Sequence, residues 1–170
     1  MQNSMDDDLD LPQADSLPSC GRPGCICALP LGERFLLWAL RQWQCELMRW
    51  QYDRTLPLEG SVLLDGFRTA GLLDTLADFA ALMDVLHFGI RRALEIHAPS
   101  CACQSSDEAT LIALCILAQA GRDGPLQASL ETMLVQPAAQ VAAQRLRTFA
   151  KALAEAGLNL PPSSAGGRLN

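Results

Sequence analysis

Cysteine and histidine residues that can bind a metal lie in two short clusters. The first cluster contains Cys20, Cys25 and Cys27, and the second contains His97, Cys101 and Cys103. Glycine and proline in the first cluster and Pro99 in the second favour tight turns, in which neighbouring thiolates can converge on one ion. A structural zinc site needs four ligands, usually Cys and His, and the two clusters together offer six candidates. The pattern predicts a metal centre, and zinc is the favoured ion.

An iron–sulfur cluster is the alternative cofactor. The first cluster reads Cys-x4-Cys-x-Cys, one residue shorter than the plant-type ferredoxin opening Cys-x4-Cys-x2-Cys. Zinc is preferred because zinc sites readily take a histidine ligand. Redox-active thiols, or cysteines without a function, are the other interpretations. The sequence leaves open whether the two clusters meet, since this depends on which end of the fold carries each loop.

The composition predicts a helical globular chain. It has 170 residues, of which 49% are hydrophobic and only 5% are aromatic. This length suits one domain with a sizeable core, and the abundance of Leu and Ala favours helix over strand. No run of residues alternates between apolar and polar in the manner of a strand. We expect an all-α single domain of five or six helices in a bundle-like array, with the cysteine clusters on connecting loops.

Charge and turn residues divide the chain into three parts. Residues 1–19 form an acidic tail, which holds five of the 19 acidic residues and no basic one. We expect this tail to be disordered. Residues 20–160 form the helical domain, and residues 161–170 form a flexible, Pro-, Ser- and Gly-rich C-terminal tail. Because the net charge of −6 lies mostly in the first tail, the nearly neutral domain is not expected to bind nucleic acid.

Helical spacing of apolar residues predicts the first half of the domain. A helix should run from Leu31 to about Asp53, because leucine and tryptophan residues recur every three or four positions along it. Residues 61–98 should form a short helix and then a longer one from Leu72 that Pro99 stops. A break is expected near Gly66 and Gly71.

Capping residues predict the second half. Ser105 and Glu108 form a capping box at the start of a helix that reaches about Ala120 and is almost wholly apolar. We expect this helix to be central. Pro125 suits the start of a short helix, and a last helix should run from Pro137 to about Ala156.

Two further groups of side chains lie within the predicted helices. Arg34, Trp38 and Arg41 share one face of the first helix, where they offer a weak candidate surface for a protein partner. The alternative is that arginine stems cover a half-buried tryptophan. Cys45 and Cys115 are expected to be small buried hydrophobes.

The remaining features concern the class of protein. The N-terminus is acidic rather than a basic and apolar leader, and charged residues interrupt every long apolar stretch. We therefore expect a cytoplasmic protein without a membrane span. Phosphate-binding, zinc-protease and hydrolase motifs are absent, so we expect no enzyme.

These features predict a small helical regulatory or interaction protein whose Cys/His clusters bind a metal. The alternatives are an iron–sulfur redox or oxygen-sensing protein, and a metal-free helical adaptor or chaperone. The expected partner is another protein, and homo-oligomerisation stays open.

Overall fold

Six α-helices make up most of residues 26–52 and 60–161, the part of the chain that the computed structural model describes. They are α1 (Leu31–Tyr52), α2 (Val62–Thr69), α3 (Leu76–Gly89), α4 (Ser106–Gln119), α5 (Asp123–Met133) and α6 (Gln136–Glu155). Short 3-10 turns occupy Ile26–Ala28 and Leu73–Thr75. No strand forms in these residues, which confirms the all-α prediction. Cys20, Cys25, the acidic tail and residues 162–170 lie outside the described residues.

The last helix is the centre of the array. α6 packs against α3, α4 and α5, while α1 packs against α4 and α2. Its buried face consists of Ala139, Ala142, Ala143, Leu146, Phe149, Ala150 and Leu153. Small residues there let neighbouring helices approach closely. α4 contributes Leu111, Ile112, Leu114, Cys115 and Ala118 to the core and packs against α1, α5 and α6, which agrees with its predicted central position.

Three phenylalanines form the middle of the core. The ring centroids of Phe67 and Phe149 each lie 5.2 Å from that of Phe79, and 6.3 Å from each other. All three are fully buried, and they come from α2, α6 and α3. Aromatic contacts of this kind add to the stabilisation by buried area. The core therefore joins the short helix α2 to the main packing.

Of the two glycines near which a break was predicted, Gly66 and Gly71, the second is where the helix is broken. Gly66 lies inside α2, and a Cβ there would lie only 1.9 Å from the Trp38 ring. Glycine is needed at this position because the indole packs directly on the α2 backbone. The chain turns instead at Gly71, whose φ of 71° is left-handed.

α3 ends earlier than the sequence predicted. It stops at Gly89, where a Cβ would lie 2.4 Å from the Cβ of Ala138 in α6. Ile90 then pairs with Leu134 in an isolated bridge, and Val135 N donates to Gly89 O at 3.0 Å. This close contact with the α5–α6 connection draws the chain out of helical geometry. Residues 90–105 consequently form an irregular loop, here called the site loop.

The two cysteines within helices differ in burial. Cys115 is buried in α4 as predicted, and burial raises the pKa of its thiol to about 12. Cys45 is exposed on α1, so the prediction that it is buried is wrong. The helix carrying it extends beyond the region that other elements cover, since the residues from Met48 to Gln51 are also exposed. No helix in the described ranges has the length and apolar character to cross a membrane.

Candidate metal centre

The site loop brings His97, Cys101 and Cys103 together. Their ligand atoms all lie within 4.8 Å of one another. The Sγ atoms of Cys101 and Cys103 are 3.1 Å apart, and His97 Nδ1 lies 3.5 Å from the first and 3.9 Å from the second. This group could hold a metal ion.

These distances can be compared with a tetrahedral zinc site. At tetrahedral angles, zinc–sulfur bonds of about 2.3 Å and zinc–nitrogen bonds of about 2.0 Å place ligand atoms about 3.5–3.8 Å apart. The two sulfur–nitrogen distances, 3.5 and 3.9 Å, are close to this range, whereas the sulfur–sulfur distance of 3.1 Å must widen slightly. Three ligand atoms would fill three of the four positions of a tetrahedral zinc site, so the fourth would need another ligand.

A turn in the backbone creates the group. Cys101 N donates to Ala98 O at 2.9 Å, and Pro99 and Ser100 occupy the middle of the turn. The fixed φ of proline suits such a position. The turn returns Cys101 towards His97, so the predicted role of Pro99 in freeing the chain to turn is seen here, although no helix ends at this point.

The His97 ring is oriented by acceptors on both sides. Nε2 lies 3.4 Å from Glu95 Oε1, and Nδ1 faces the two sulfurs. A carboxylate behind a histidine is the usual arrangement for a metal-binding imidazole. The Cys103 carbonyl, 3.1 Å from Nδ1, raises the pKa of His97 above its ordinary value, and burial opposes this shift. In the metal-free protein a protonated Nδ1 donates to this carbonyl.

The two thiols of the group ionise at different pH. The hydrogen bond between the side chains lowers the pKa of Cys101 and raises the pKa of Cys103. The positive charge of Arg41 lowers both values in addition. Cys101 is therefore the first of the pair to become a thiolate, which is the form that binds metals.

Arg41 of α1 holds the backbone around both cysteines. Its Nη1 donates to Cys101 O and its Nη2 to Cys103 O, each at 2.7 Å. Its Nε also donates to Glu108 Oε1 at 2.7 Å, and Nη2 donates to Oε2 at 2.9 Å. Arg41 is only 2% exposed and Glu108 is 0% exposed. The buried guanidinium is engaged in these contacts, so Arg41 is not exposed on the α1 face together with Arg34.

Glu108 links α4 to the site loop. Besides Arg41, it accepts hydrogen bonds from His97 N at 3.0 Å and from Ser105 N at 2.8 Å. The Ser105 hydroxyl in turn accepts from Glu108 N at 3.1 Å, which completes the predicted capping box. Burial raises the pKa of Glu108, but the hydrogen bonds from Arg41, Ser105 and His97 outweigh burial and leave the pKa below its ordinary value.

Asp107 anchors the earlier part of the same loop. Its carboxylate accepts from both terminal nitrogens of Arg92 and from Glu95 N, the latter at 2.8 Å. The Arg92 hydrogen bond lowers the pKa of Asp107. Neighbouring acidic residues in the first turn of α4 thus hold the loop at residues 92, 95 and 97.

The described end of the first cluster contacts the site loop. Ile26 N donates to Ala102 O at 3.2 Å, between the two site cysteines. Cys27 follows directly and is disulfide-bonded, so in this state its sulfur is not a free thiolate. The structure thus brings the start of the domain beside His97, Cys101 and Cys103.

Only part of the predicted partner surface on α1 is exposed. Arg34 is exposed, whereas Trp38 is half-buried. Its ring lies 5.7 Å from the Phe35 ring and covers Gly66. This arrangement matches the alternative in which the tryptophan packs against the domain.

Sequence reasoning missed the roles of Arg41, Glu95, Asp107 and Glu108 at this site. The capping pattern identified Glu108 as a helix-capping residue, but Arg41 lies 67 positions away in the sequence. Helical periodicity places Arg41 on a face of α1 without telling which element covers that face.

Comparisons with protein families, curated proteins and solved structures found no match. The chemistry of the site therefore rests on its own geometry.

Proposed function

We propose that this protein is a small helical regulatory or interaction protein that binds one zinc ion through His97, Cys101 and Cys103. A thiolate of the first cluster, from Cys20, Cys25 or reduced Cys27, supplies the fourth ligand. The observation that carries the proposal is the convergence of three ligand atoms within 4.8 Å. The hydrogen bond from Ile26 to Ala102 supports the choice of the fourth ligand, because it joins the described end of the first cluster to the site loop between Cys101 and Cys103.

The ligand set favours zinc over an iron–sulfur cluster. Three atoms at 3.1–3.9 Å from one another fit a single ion, whereas a two-iron cluster spreads its four ligands over two metals. One of the three is an imidazole, which zinc binds readily beside thiolates. The Glu95 carboxylate behind His97 also suits a zinc-bound histidine.

The proposed role is structural rather than catalytic. A zinc ion with four protein ligands has no open position for a substrate. It would instead join the start of the domain to the site loop, so that the free energy of metal binding stabilises this junction.

Metal and acid-labile sulfide analysis tests the proposal. The full-length protein is purified anaerobically in reductant, and its absorption spectrum is recorded before exposure to air. We expect about one zinc per chain without sulfide. In Cys101→Ser, Cys103→Ser and His97→Ala, zinc content and melting temperature should fall together, and Cys25→Ser should show the same if this residue is the fourth ligand.

Cys45→Ser is the matched control, because Cys45 is an exposed thiol on α1 that does not belong to the converging group of His97, Cys101 and Cys103. It should keep both zinc and melting temperature. Iron with a matching amount of sulfide would overturn the zinc proposal and support the iron–sulfur alternative. Wild-type protein without any metal would overturn the proposal and leave the metal-free adaptor.

A further inference from the structure

We propose that Arg41 and Glu108 are positioning residues that set the zinc affinity of the site and couple its occupancy to the packing of α1 against α4. This inference rests on the proposed function, since it concerns the same metal centre. Neither residue offers a ligand atom to the ion. Each acts through the backbone of the residues that do.

The first step of the argument is the backbone of the Cys-x-Cys pair. Two sulfurs separated by one residue can bind the same ion only if both peptide groups keep a fixed orientation. Arg41 holds the carbonyl oxygens of Cys101 and Cys103 with two nitrogens of one guanidinium, each at 2.7 Å. Because a guanidinium is planar and rigid, it fixes the two carbonyls relative to each other.

The second step is the histidine. His97 N donates to Glu108 Oε1 at 3.0 Å, and the same oxygen accepts from Arg41 Nε at 2.7 Å. All three ligand residues are therefore held by one ion pair, the cysteines through Arg41 and the histidine through Glu108. Loss of Arg41 would remove the hydrogen bonds that hold the two cysteine carbonyls, and loss of Glu108 would remove the one that holds the His97 amide.

The third step is the burial of the pair. Arg41 and Glu108 are 2% and 0% exposed, and removing two charges from water carries a large desolvation penalty, so a buried ion pair is weak evidence for stability. Apolar residues of similar size at these two positions would often make a fold equally stable. The polar pair provides what apolar residues cannot, namely hydrogen bonds to the carbonyl oxygens and the amide of the ligand residues.

The pair also joins two helices. Arg41 belongs to α1 and Glu108 to the first turn of α4, and these helices pack against each other. Because Arg41 holds the Cys101 and Cys103 carbonyls, metal binding by these two cysteines and the packing of α1 against α4 would restrain the same stretch of backbone. Zinc binding should therefore also strengthen the contact between α1 and α4, and by linkage a weaker contact should lower zinc affinity.

Zinc affinity, measured by competition with a chromophoric chelator under reducing anaerobic conditions, tests this inference. The full-length wild type is compared with Arg41→Met and Arg41→Lys. We expect Arg41→Met to bind zinc about 10–100-fold more weakly, the usual effect of removing a group that orients ligands. The zinc affinity of Arg41→Lys should lie between those of the wild type and Arg41→Met, because lysine keeps the positive charge but lacks the planar set of N–H donors of the guanidinium.

Arg34→Met is the matched control, since Arg34 is an exposed arginine on the same helix. Its zinc affinity should stay within about twofold of the wild-type value, as for other surface substitutions. A merely structural role for Arg41 would lower the melting temperature of the metal-free protein without changing zinc affinity. Far-UV circular dichroism checks that each variant is folded. If Arg41→Met does not fold, the zinc affinity of Arg41→Lys tests the inference.

Hydrogen exchange provides a second readout. Zinc should slow amide exchange around Arg41 in the wild type, and this protection should be reduced in Arg41→Lys. Equal zinc affinity in wild type and both Arg41 variants would overturn the inference while leaving the zinc site itself intact. Absence of zinc binding by the wild type would instead overturn the proposed function.

Discussion

The Glu108 carboxylate accepts hydrogen bonds from three parts of the chain: Arg41 in α1, His97 in the site loop and Ser105 at the cap of α4. A carboxylate with several donors is stabilised in its charged form. The same holds for Asp107, which accepts from Arg92 and Glu95 N. At the scale of single residues, the site loop is held by two carboxylates that must be ionised.

Acid should therefore weaken the fold through these carboxylates. The pKa of Asp107 is lowered from its ordinary 3.8 by the Arg92 hydrogen bond. A group whose pKa is lower in the folded state stabilises fully above its unfolded pKa, and this contribution is lost as the pH falls through the folded pKa. We expect the difference in unfolding free energy between wild type and Asp107→Asn to shrink from about pH 5 towards pH 2.

Urea denaturation of the metal-free proteins at several pH values measures this difference. Metal-free protein is required because protons also displace zinc from its ligands. Parallel pH profiles for wild type and Asp107→Asn would show that this carboxylate does not contribute to acid sensitivity.

The end of α3 determines where the site loop begins. Periodicity continues past Gly89 through Ile90 and Leu94, yet the helix stops where Gly89 meets Ala138. The resulting loop has enough length to carry His97 back towards Cys101. At the scale of elements, a close helix contact in one place creates the irregular chain that the site needs.

Gly89→Ala tests this explanation. A Cβ at residue 89 would lie 2.4 Å from Ala138 Cβ, so α3 and α6 must separate. We expect a loss of about 1–3 kcal/mol in unfolding free energy, as for other overpacked sites. Gly124→Ala is the control, because Gly124 lies in α5 with nothing within 4 Å of an added Cβ, and it should be neutral or stabilising by up to about 1 kcal/mol. Equal effects would contradict the steric explanation.

The candidate metal centre lies at the edge of the hydrophobic core, against which Ile90, Leu94 and Ile96 of the site loop are partly buried. Among the described residues, no fully buried hydrophobic side chain lies between Leu86 and Leu111, which is the stretch that holds the site loop. The Phe67, Phe79 and Phe149 cluster is supplied by helices instead. At the scale of the whole molecule, the metal should stabilise one edge of a domain that has its own core.

Chelation should accordingly leave most helices intact. We expect removal of zinc under reducing conditions to lower the melting temperature while the far-UV circular dichroism signal at 25 °C stays nearly unchanged. With free zinc about 100-fold above Kd, binding adds about 2.7 kcal/mol to stability. Cys101→Ser should show no response to the chelator. Loss of the helical signal on chelation would show that the fold depends on the metal, as in small zinc-dependent domains.

The local patterns of the sequence were sufficient for most helices. Apolar spacing predicted α1 and α6, and the Ser105–Glu108 capping box predicted the start of α4. These features depend on contacts within a few residues of each other. The second cluster was also recognisable, because His97, Cys101 and Cys103 lie within seven consecutive positions and one turn joins them.

Only the tertiary structure decided what surrounds those ligand atoms. Arg41 and Glu108 are 67 positions apart, and the sequence contains no local pattern that pairs them. The early end of α3, the central place of α6 and the exposure of Cys45 likewise depend on which helices touch. The physical reason is that periodicity shows which face of a helix is apolar, whereas the partner of that face is chosen by packing of the whole chain.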